Sequence, residues 1–374
     1  MKELGIDADY LCRILKDRLC IPSPTGMTDQ VVRYMCAELE RLDIPFELTR
    51  LGAIRADLKG RRSTPDRAIA CHVDTLGATI KGFHKANGWP QLAPIGTWSA
   101  RMAEGARVIV FSDGERRTPG TILPLKASGH TYGDEIDTQP AAWTNLELRL
   151  DAHVTCEQHA RDLGIEVGDI VAVEANPVFN RNGYICSRHL DDKAGVATVL
   201  AAAKAIRESK TLLPMDCHLL FTISEEVGVG ASHILHGDVA ELVSVDNGTI
   251  ATGQYTHEHG VTIAMQDSSG PFDWHLTRSL IGLCKSFEIK HSRDVFNHYR
   301  SDNAAALEAG NDIRTALICF GLDGSHGYER VHFDSLVSVA RLLMLYMQSP
   351  ALFERDSEAL GPVGDLPAST DDER

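Results

Sequence analysis

Four short apolar segments of this chain each run directly into a residue able to bind a metal, and helical stretches separate them. Arg67–Cys71 leads into His72-Val73-Asp74, and Cys217–Ile223 leads into Ser224-Glu225-Glu226. Leu242–Val245 leads into Asp246-Asn247-Gly248, and Thr315–Phe320 into Gly321-Leu322-Asp323-Gly324-Ser325-His326. Strands alternating with helices predict an α/β fold, a mostly parallel sheet flanked by helices. Ligands of such sheets bind beyond the carboxyl ends of the strands, so distant segments converge on one edge. A fifth segment, His189-Leu190-Asp191-Asp192-Lys193, opens an Ala-rich helical stretch that runs to Ser209.

The rest of the chain fills in around these segments. Tyr10, Leu11, Ile14 and Leu15 recur at helical spacing until Ile21-Pro22-Ser23-Pro24-Thr25-Gly26 breaks the pattern. Thr28 is placed to N-cap a second helix carrying Val31, Val32, Met35 and Leu39. Strands are expected at Phe46–Thr49 and Ile54–Leu58. From residue 81 to 173 the character changes. Gly and Pro punctuate extended runs such as Arg107–Phe111 and Thr121–Leu123, with one helical interruption at Glu157–Leu163. This segment reads as a small β-rich domain inserted into an α/β domain made of residues 1–80 and 174–350. Residues 351–374 read as an acidic, disordered tail.

Composition excludes several classes of partner. With 52 acidic against 37 basic residues and a formal charge of -15, the chain is not expected to bind nucleic acid or anionic membranes. No apolar run approaches the roughly 18 residues of a membrane span. Nine cysteines without a C-x-x-C pair, and first residues lacking an apolar signal core, fit a reducing cytoplasm.

Imidazole and carboxylate ligands without cysteine suit a catalytic zinc, cobalt or manganese site rather than a thiolate structural one. A carboxylate can bridge two ions. With Asp191 as the bridge, and His72, Asp246, Glu226 and His326 shared out two to a side, each ion has three protein ligands, leaving room for a shared water; the division into His72 with Asp246 and Glu226 with His326 follows partly from the family resemblance described below. Asp74, two residues past His72, can accept the second imidazole N–H and fix the ligating tautomer. Glu225, free of the ions, can take a proton from water and return it to a leaving amine. Each motif alone has an ordinary reading: a strand end, a helix start, a cap or a turn. The order of all five on alternating strands is what carries the two-metal reading.

That order, H-x-D, D-D, E-E, D and H, resembles the di-metal aminopeptidases of the tetrahedral (TET) and glutamyl aminopeptidase type. Ile21-Pro22-Ser23-Pro24-Thr25-Gly26 and Ser301-Asp302-Asn303-Ala304 resemble further segments of that family. The resemblance runs from about residue 8 to 347. It implies a zinc-exopeptidase-like fold with an inserted β-barrel dimerisation domain, and a homo-oligomer from dimer to dodecamer. It also implies two divalent ions, zinc foremost, with His72, Asp191, Glu226, Asp246 and His326 as ligands. Glu225 would be the general acid/base and Asp74 the residue orienting His72.

Trp98-Ser99-Ala100-Arg101, Ser187–Gly195 and Ser325–Arg330 resemble a bacterial branch encoded with genes for the osmoprotectant N-acetylglutaminylglutamine amide. His326-Gly327-Tyr328-Glu329 departs from the family's H-S-P-x-E by one residue, which bears on the substrate pocket. The expected activity is removal of N-terminal residues from short peptides. Two alternatives are a metal-dependent amidase or deacylase acting on a small N-acylated dipeptide such as an osmolyte, and a non-catalytic scaffold.

Overall fold

A computed structural model describes residues 1–358, 360–363 and 366. Its strands, in chain order, are β1 (Phe46–Leu48), β2 (Ile54–Leu58), β3 (Asp66–His72), β4 (Gly77–Phe83), β5 (Pro90–Ile95), β6 (Arg107–Ser112) and β7 (Arg116–Pro124). They continue with β8 (Leu146–Leu150), β9 (Ile170–Val173), β10 (Val178–Phe179), β11 (Tyr184–Ser187), β12 (Cys217–Thr222) and β13 (Val239–Thr249). The last are β14 (Val261–Asp267), β15 (Gly270–Pro271), β16 (His291–Val295), β17 (Arg314–Asp323) and β18 (Glu329–His332).

Twelve of these form one sheet in the order β1-β2-β12-β3-β13-β17-β18-β11-β10, with β14 also on β17 and carrying β15 and β16. Its centre, β12-β3-β13-β17, is parallel, as the alternation of strands and helices predicts. The flanking pairs are antiparallel except β14 with β16, so the sheet as a whole is mixed. Connectivity decides each pairing: β17 returns to β18 through a short loop and runs antiparallel to it, whereas β14 and β16 are joined through the helix Trp274–Ser286 and run parallel.

Central strands buried on both faces read as continuous apolar runs, and every residue of β3 and β12 is buried. The Ala-rich helix Leu190–Ser209 packs across β3 and β13, buried along almost its whole length. Alanine permits that close approach. Ala8–Leu19 and Phe333–Gln348 pack beside it. Thr28 does precede the helix Asp29–Arg41, but its side chain makes no capping hydrogen bond.

The second sheet has six strands, β5-β4-β9-β6-β7-β8, with its own apolar core around Val108, Val110, Leu148 and Val171. β5 and β8 at its ends lie against each other without ladder hydrogen bonds, giving a near-barrel. This sheet starts at Gly77, within the stretch to residue 80 that the sequence pattern assigns to the α/β part. The acidic stretch after residue 350 begins against the core rather than free of it. Asp356 pairs with Arg314 at 2.6 Å and Glu354 with Arg62 at 2.7 Å, because both carboxylates find guanidinium partners. Residues 359, 364, 365 and 367–374 of the expected tail lie outside the described residues. Among the described residues no helix is long and apolar enough to cross a membrane.

Candidate metal centre

The parallel register sets the site. His72, the last residue of β3, pairs with Thr222, the last of β12, so the segments that follow emerge side by side. β13 runs on past Val245, held by β17 through the pairs Asp246–Cys319 and Asn247–Phe320. Asp246 therefore projects from within a strand, not from a turn after it. Leu190–Ser209 opens with Asp191 and Asp192 in non-helical backbone, joined by a cis peptide bond.

Asp191 lies at the centre of the group. Its Oδ1 is 3.1 Å from His72 Nε2 and its Oδ2 is 3.3 Å from His326 Nε2. His326 Nε2 is also 3.7 Å from Glu226 Oε2. On the other side, the ligand atoms of His72, Asp191 and Asp246 all lie within 4.8 Å of one another. The five predicted ligands thus come together, with one oxygen of Asp191 toward each imidazole. Glu225 Oε2 stands 3.8 Å from His72 Nε2, and among the described residues nothing donates a hydrogen bond to its carboxylate. Asp191, Glu225, Glu226, Asp246 and His326 line a cleft of about 1140 Å³, together with Tyr299 and Arg300.

Asp74 does more than face a ring. His72 Nδ1 lies 3.0 Å from the Asp74 carbonyl oxygen and 3.6 Å from its carboxylate. The carboxylate instead accepts the backbone N–H groups of Glu225 (3.2 Å) and Glu226 (3.4 Å) and the hydroxyl of Thr25 (2.6 Å). Thr25 and Ser23, whose hydroxyl donates to the Val73 carbonyl at 2.9 Å, give the Ile21–Gly26 segment its place beneath the site.

Other contributors escape the sequence pattern. Glu329 accepts the N–H groups of Leu190 (2.7 Å), Asp191 (3.2 Å) and His326 (3.0 Å), fixing the backbone of two candidate ligands at once. Asn247 donates to Asp191 Oδ2 at 2.8 Å and to Asp246 Oδ1 at 3.0 Å. His326 Nδ1 meets the carbonyl of Thr97, which follows β5 of the second sheet, at 2.7 Å. The H-x-x-E spacing of His326 and Glu329 was the one available signal for Glu329. A backbone carbonyl such as that of Thr97 leaves no trace in a sequence. Asp192 turns inward and accepts His72 N–H at 3.2 Å, while a Cβ on Gly195 would sit 2.1 Å from its Oδ1, so glycine is required there. His189 is a buried neutral ring that contacts the Val173 carbonyl at 2.9 Å; burial and Lys193 push its pKa down to about 3.

The donor set fits divalent cations on electrostatic grounds. Burial, reinforced by the charge of Asp191, lifts Asp246 to about 8, and burial holds Glu225 and Glu226 well above the usual carboxylate range. Burial opposes protonation of His326, yet the Asp191 carboxylate beside it raises the ring to about 10. Without ions the surroundings favour the protonated forms of Glu225, Glu226, Asp246 and both imidazoles, while the two imidazoles hold the Asp191 carboxyl low against its burial. Buried charge of one sign needs a counter-charge, and imidazole with carboxylate is a donor set for ions of the zinc, cobalt and manganese kind.

Residues 52–342 match the M42 glutamyl aminopeptidase family. The chain belongs to that family. It is therefore an aminopeptidase, a metal-dependent hydrolase of peptide bonds. A Bacillus subtilis protein named "Putative aminopeptidase YhfE" is 36% identical over 337 residues, covering 90% of this chain and 97% of its own length. The glutamyl aminopeptidase of Lactococcus lactis is 23% identical over 57% of this chain and 59% of its own. Among solved structures, an aminopeptidase from Desulfurococcus kamchatkensis superposes with a TM-score of 0.83 at 19% identity, covering 95% of this chain and 99% of that one. The TET1 peptidase of Pyrococcus horikoshii, described as able to form a tetrahedron or a large octahedral shell, gives 0.78 at 19% identity, covering 90% and 99%. These two likenesses establish the zinc-exopeptidase-like fold.

Proposed function

We propose that this M42 enzyme removes N-terminal residues from short peptides at a pair of divalent ions, zinc foremost. His72 and Asp246 would hold one ion, Glu226 and His326 the other, and Asp191 both. Bound ions supply Lewis acidity, polarising the scissile carbonyl and lowering the pKa of water toward roughly 7. Glu225 takes the proton from the attacking water on its carboxylate and returns it to the leaving amine. Asp74 positions it through the Glu225 N–H, and Asn247 and Glu329 keep the Asp191 carboxylate and backbone in line.

The observation that carries this reading is the placement of Glu225. Its carboxylate reaches into the ligand cluster, 3.8 Å from His72 Nε2, and is free of competing hydrogen-bond donors among the described residues. Glu225→Gln is expected to retain two equivalents of zinc by elemental analysis while lowering kcat on aminoacyl-anilides by roughly 10²–10⁴. Near-normal turnover in that variant would remove Glu225 from the chemistry.

Oligomerisation through the six-stranded domain and a cytoplasmic location belong to the same reading. The shell-forming TET1 neighbour supports the first, and nine free cysteines support the second. An amidase acting on an N-acylated osmolyte is separated by one assay. The peptidase requires a free α-amine, whereas the amidase cleaves the acetyl-blocked substrate.

A further inference from the structure

β3 and β12 carry ligand-type residues at both ends. Opposite the catalytic edge, β3 begins at Asp66, and His218 is the second residue of β12. Six residues separate Asp66 from His72, which at about 3.3 Å per residue places the two ends roughly 20 Å apart. His236, in the connection that leads from Glu225 and Glu226 back to β13, folds over this far edge.

Three ligand atoms converge there. His218 Nε2 is 3.1 Å from Asp66 Oδ2 and 3.0 Å from His236 Nε2, and His236 Nε2 is 3.9 Å from Asp66 Oδ2. Ligands about 2.0–2.1 Å from a tetrahedral ion stand about 3.3 Å apart, a value these separations bracket. Behind His218, Asp57 Oδ1 meets Nδ1 at 2.7 Å, the carboxylate–histidine arrangement that orients a ring toward a metal.

A protonated His218 between Asp57 and Asp66 explains two of these contacts and leaves two features over. One nitrogen would have to serve both Asp66 and the second imidazole with a single proton. The other oxygen of Asp66, a residue only 4% exposed, has no hydrogen-bond partner among the described residues. A buried carboxylate whose polar contacts all fall on Oδ2 carries charge that is costly unless a cation lies against the group.

We propose that Asp66, His218 and His236 form a second, non-catalytic site for a divalent transition ion of the zinc type. The two imidazoles disfavour magnesium and calcium. His236, whose side chain is 30% exposed, leaves the fourth position open to water. Its remaining ring nitrogen makes only a long 3.4 Å contact with the Asp238 amide, which ligation through Nε2 would replace. The ion would tie the end of the Glu225–Glu226 connection to the starts of the two strands whose far ends build the catalytic centre.

The test uses the full chain with Asp191→Asn, which weakens the catalytic pair, with and without His236→Ala. Both proteins are stripped by chelator and reloaded with zinc or cobalt alone. The Asp191→Asn protein is expected to hold about one more ion than the double variant. Cobalt should add a visible absorption band and raise Tm, and the part of both effects that belongs to the extra ion should vanish in the double variant. Because His236 is partly exposed, the double variant is expected to fold, and a wild-type far-UV spectrum checks this. His236→Asp, which restores an oxygen ligand, should recover the ion with an altered cobalt band. Equal metal content with and without His236 overturns the site, whatever the fate of the catalytic reading.

Discussion

Glu329→Gln tests how far the metal centre depends on backbone held from behind. The wild-type carboxylate accepts three N–H groups, at 2.7, 3.0 and 3.2 Å, from Leu190, His326 and Asp191. Glutamine keeps one acceptor oxygen and turns an NH₂ group toward at least one of those donors. A hydrogen bond to a charged group contributes about 1.5–3 kcal/mol, and a buried N–H left unpaired costs about 1–3 kcal/mol.

Burial and the charge of Asp191 lift Glu329 to about 8, so part of this strength is spent on holding it ionised. A net loss of roughly 1.5–3 kcal/mol is a factor of about 10–100 in metal affinity, since each 1.4 kcal/mol is tenfold. That agrees with the usual effect of removing an outer partner of a metal ligand. Competition with a fluorescent chelator at fixed pH measures the affinity, and circular dichroism checks the fold. A folded Glu329→Gln protein with wild-type affinity within about twofold would show that Asp191 and His326 hold their places without it.

Thr25→Val removes the 2.6 Å hydrogen bond to Asp74 while leaving every ligand in place, so kcat should fall several-fold with zinc content unchanged; loss of zinc would contradict that division of labour. Arg67 is fully buried, contacts Glu241 at 3.2 Å and donates to the carbonyl of Pro350 at 2.9 Å. Arg67→Ala leaves the buried Glu241 without its cation, though still accepting from the Tyr346 hydroxyl and the Leu352 N–H, and is expected to cost about 3 kcal/mol in denaturant unfolding, whereas Glu241→Ala in the same background should recover part of it. Asp7 caps the first helix by accepting Tyr10 N–H at 2.9 Å, and that bond and Lys204 hold its carboxyl below the ordinary 3.8. Asp7→Ala should cost toward the lower end of about 0.5–2 kcal/mol. A lowered folded-state pKa contributes stability above pH 3.8 that is lost as pH falls through the folded value, so the penalty should fade in acid. A penalty that persists there would point away from the carboxylate.

What the sequence made legible was what side chains carry along the chain. Strands β3 and β12 are uninterrupted apolar runs, and the helix after Asp192 is rich in alanine, so the central layer could be read directly. The convergence of His72, Asp191, Glu226, Asp246 and His326 followed from the rule about strand ends. Two kinds of information were absent. Strand pairing between distant segments, such as β2 beside β12 and β14 beside β17, depends on tertiary packing, which no local period encodes. The orienting contacts made by main-chain atoms, the Asp74 and Thr97 carbonyls and the N–H groups clasped by Glu329, have no residue type to announce them. Asp66, His218 and His236 carry no such signal, because they begin strands or sit in a loop instead of following a strand end.

The hydrogen bond from His326 to Thr97 has a wider consequence. His326, one of the proposed ligands, takes its orientation from the smaller domain, so on the proposed function that domain is not an appendage that could be trimmed to leave a working hydrolase. Whatever contacts the six-stranded sheet makes with other molecules pull on a loop one bond away from the chemistry. Changes that evolution makes on that outer surface, where partners would be chosen, are therefore constrained by turnover.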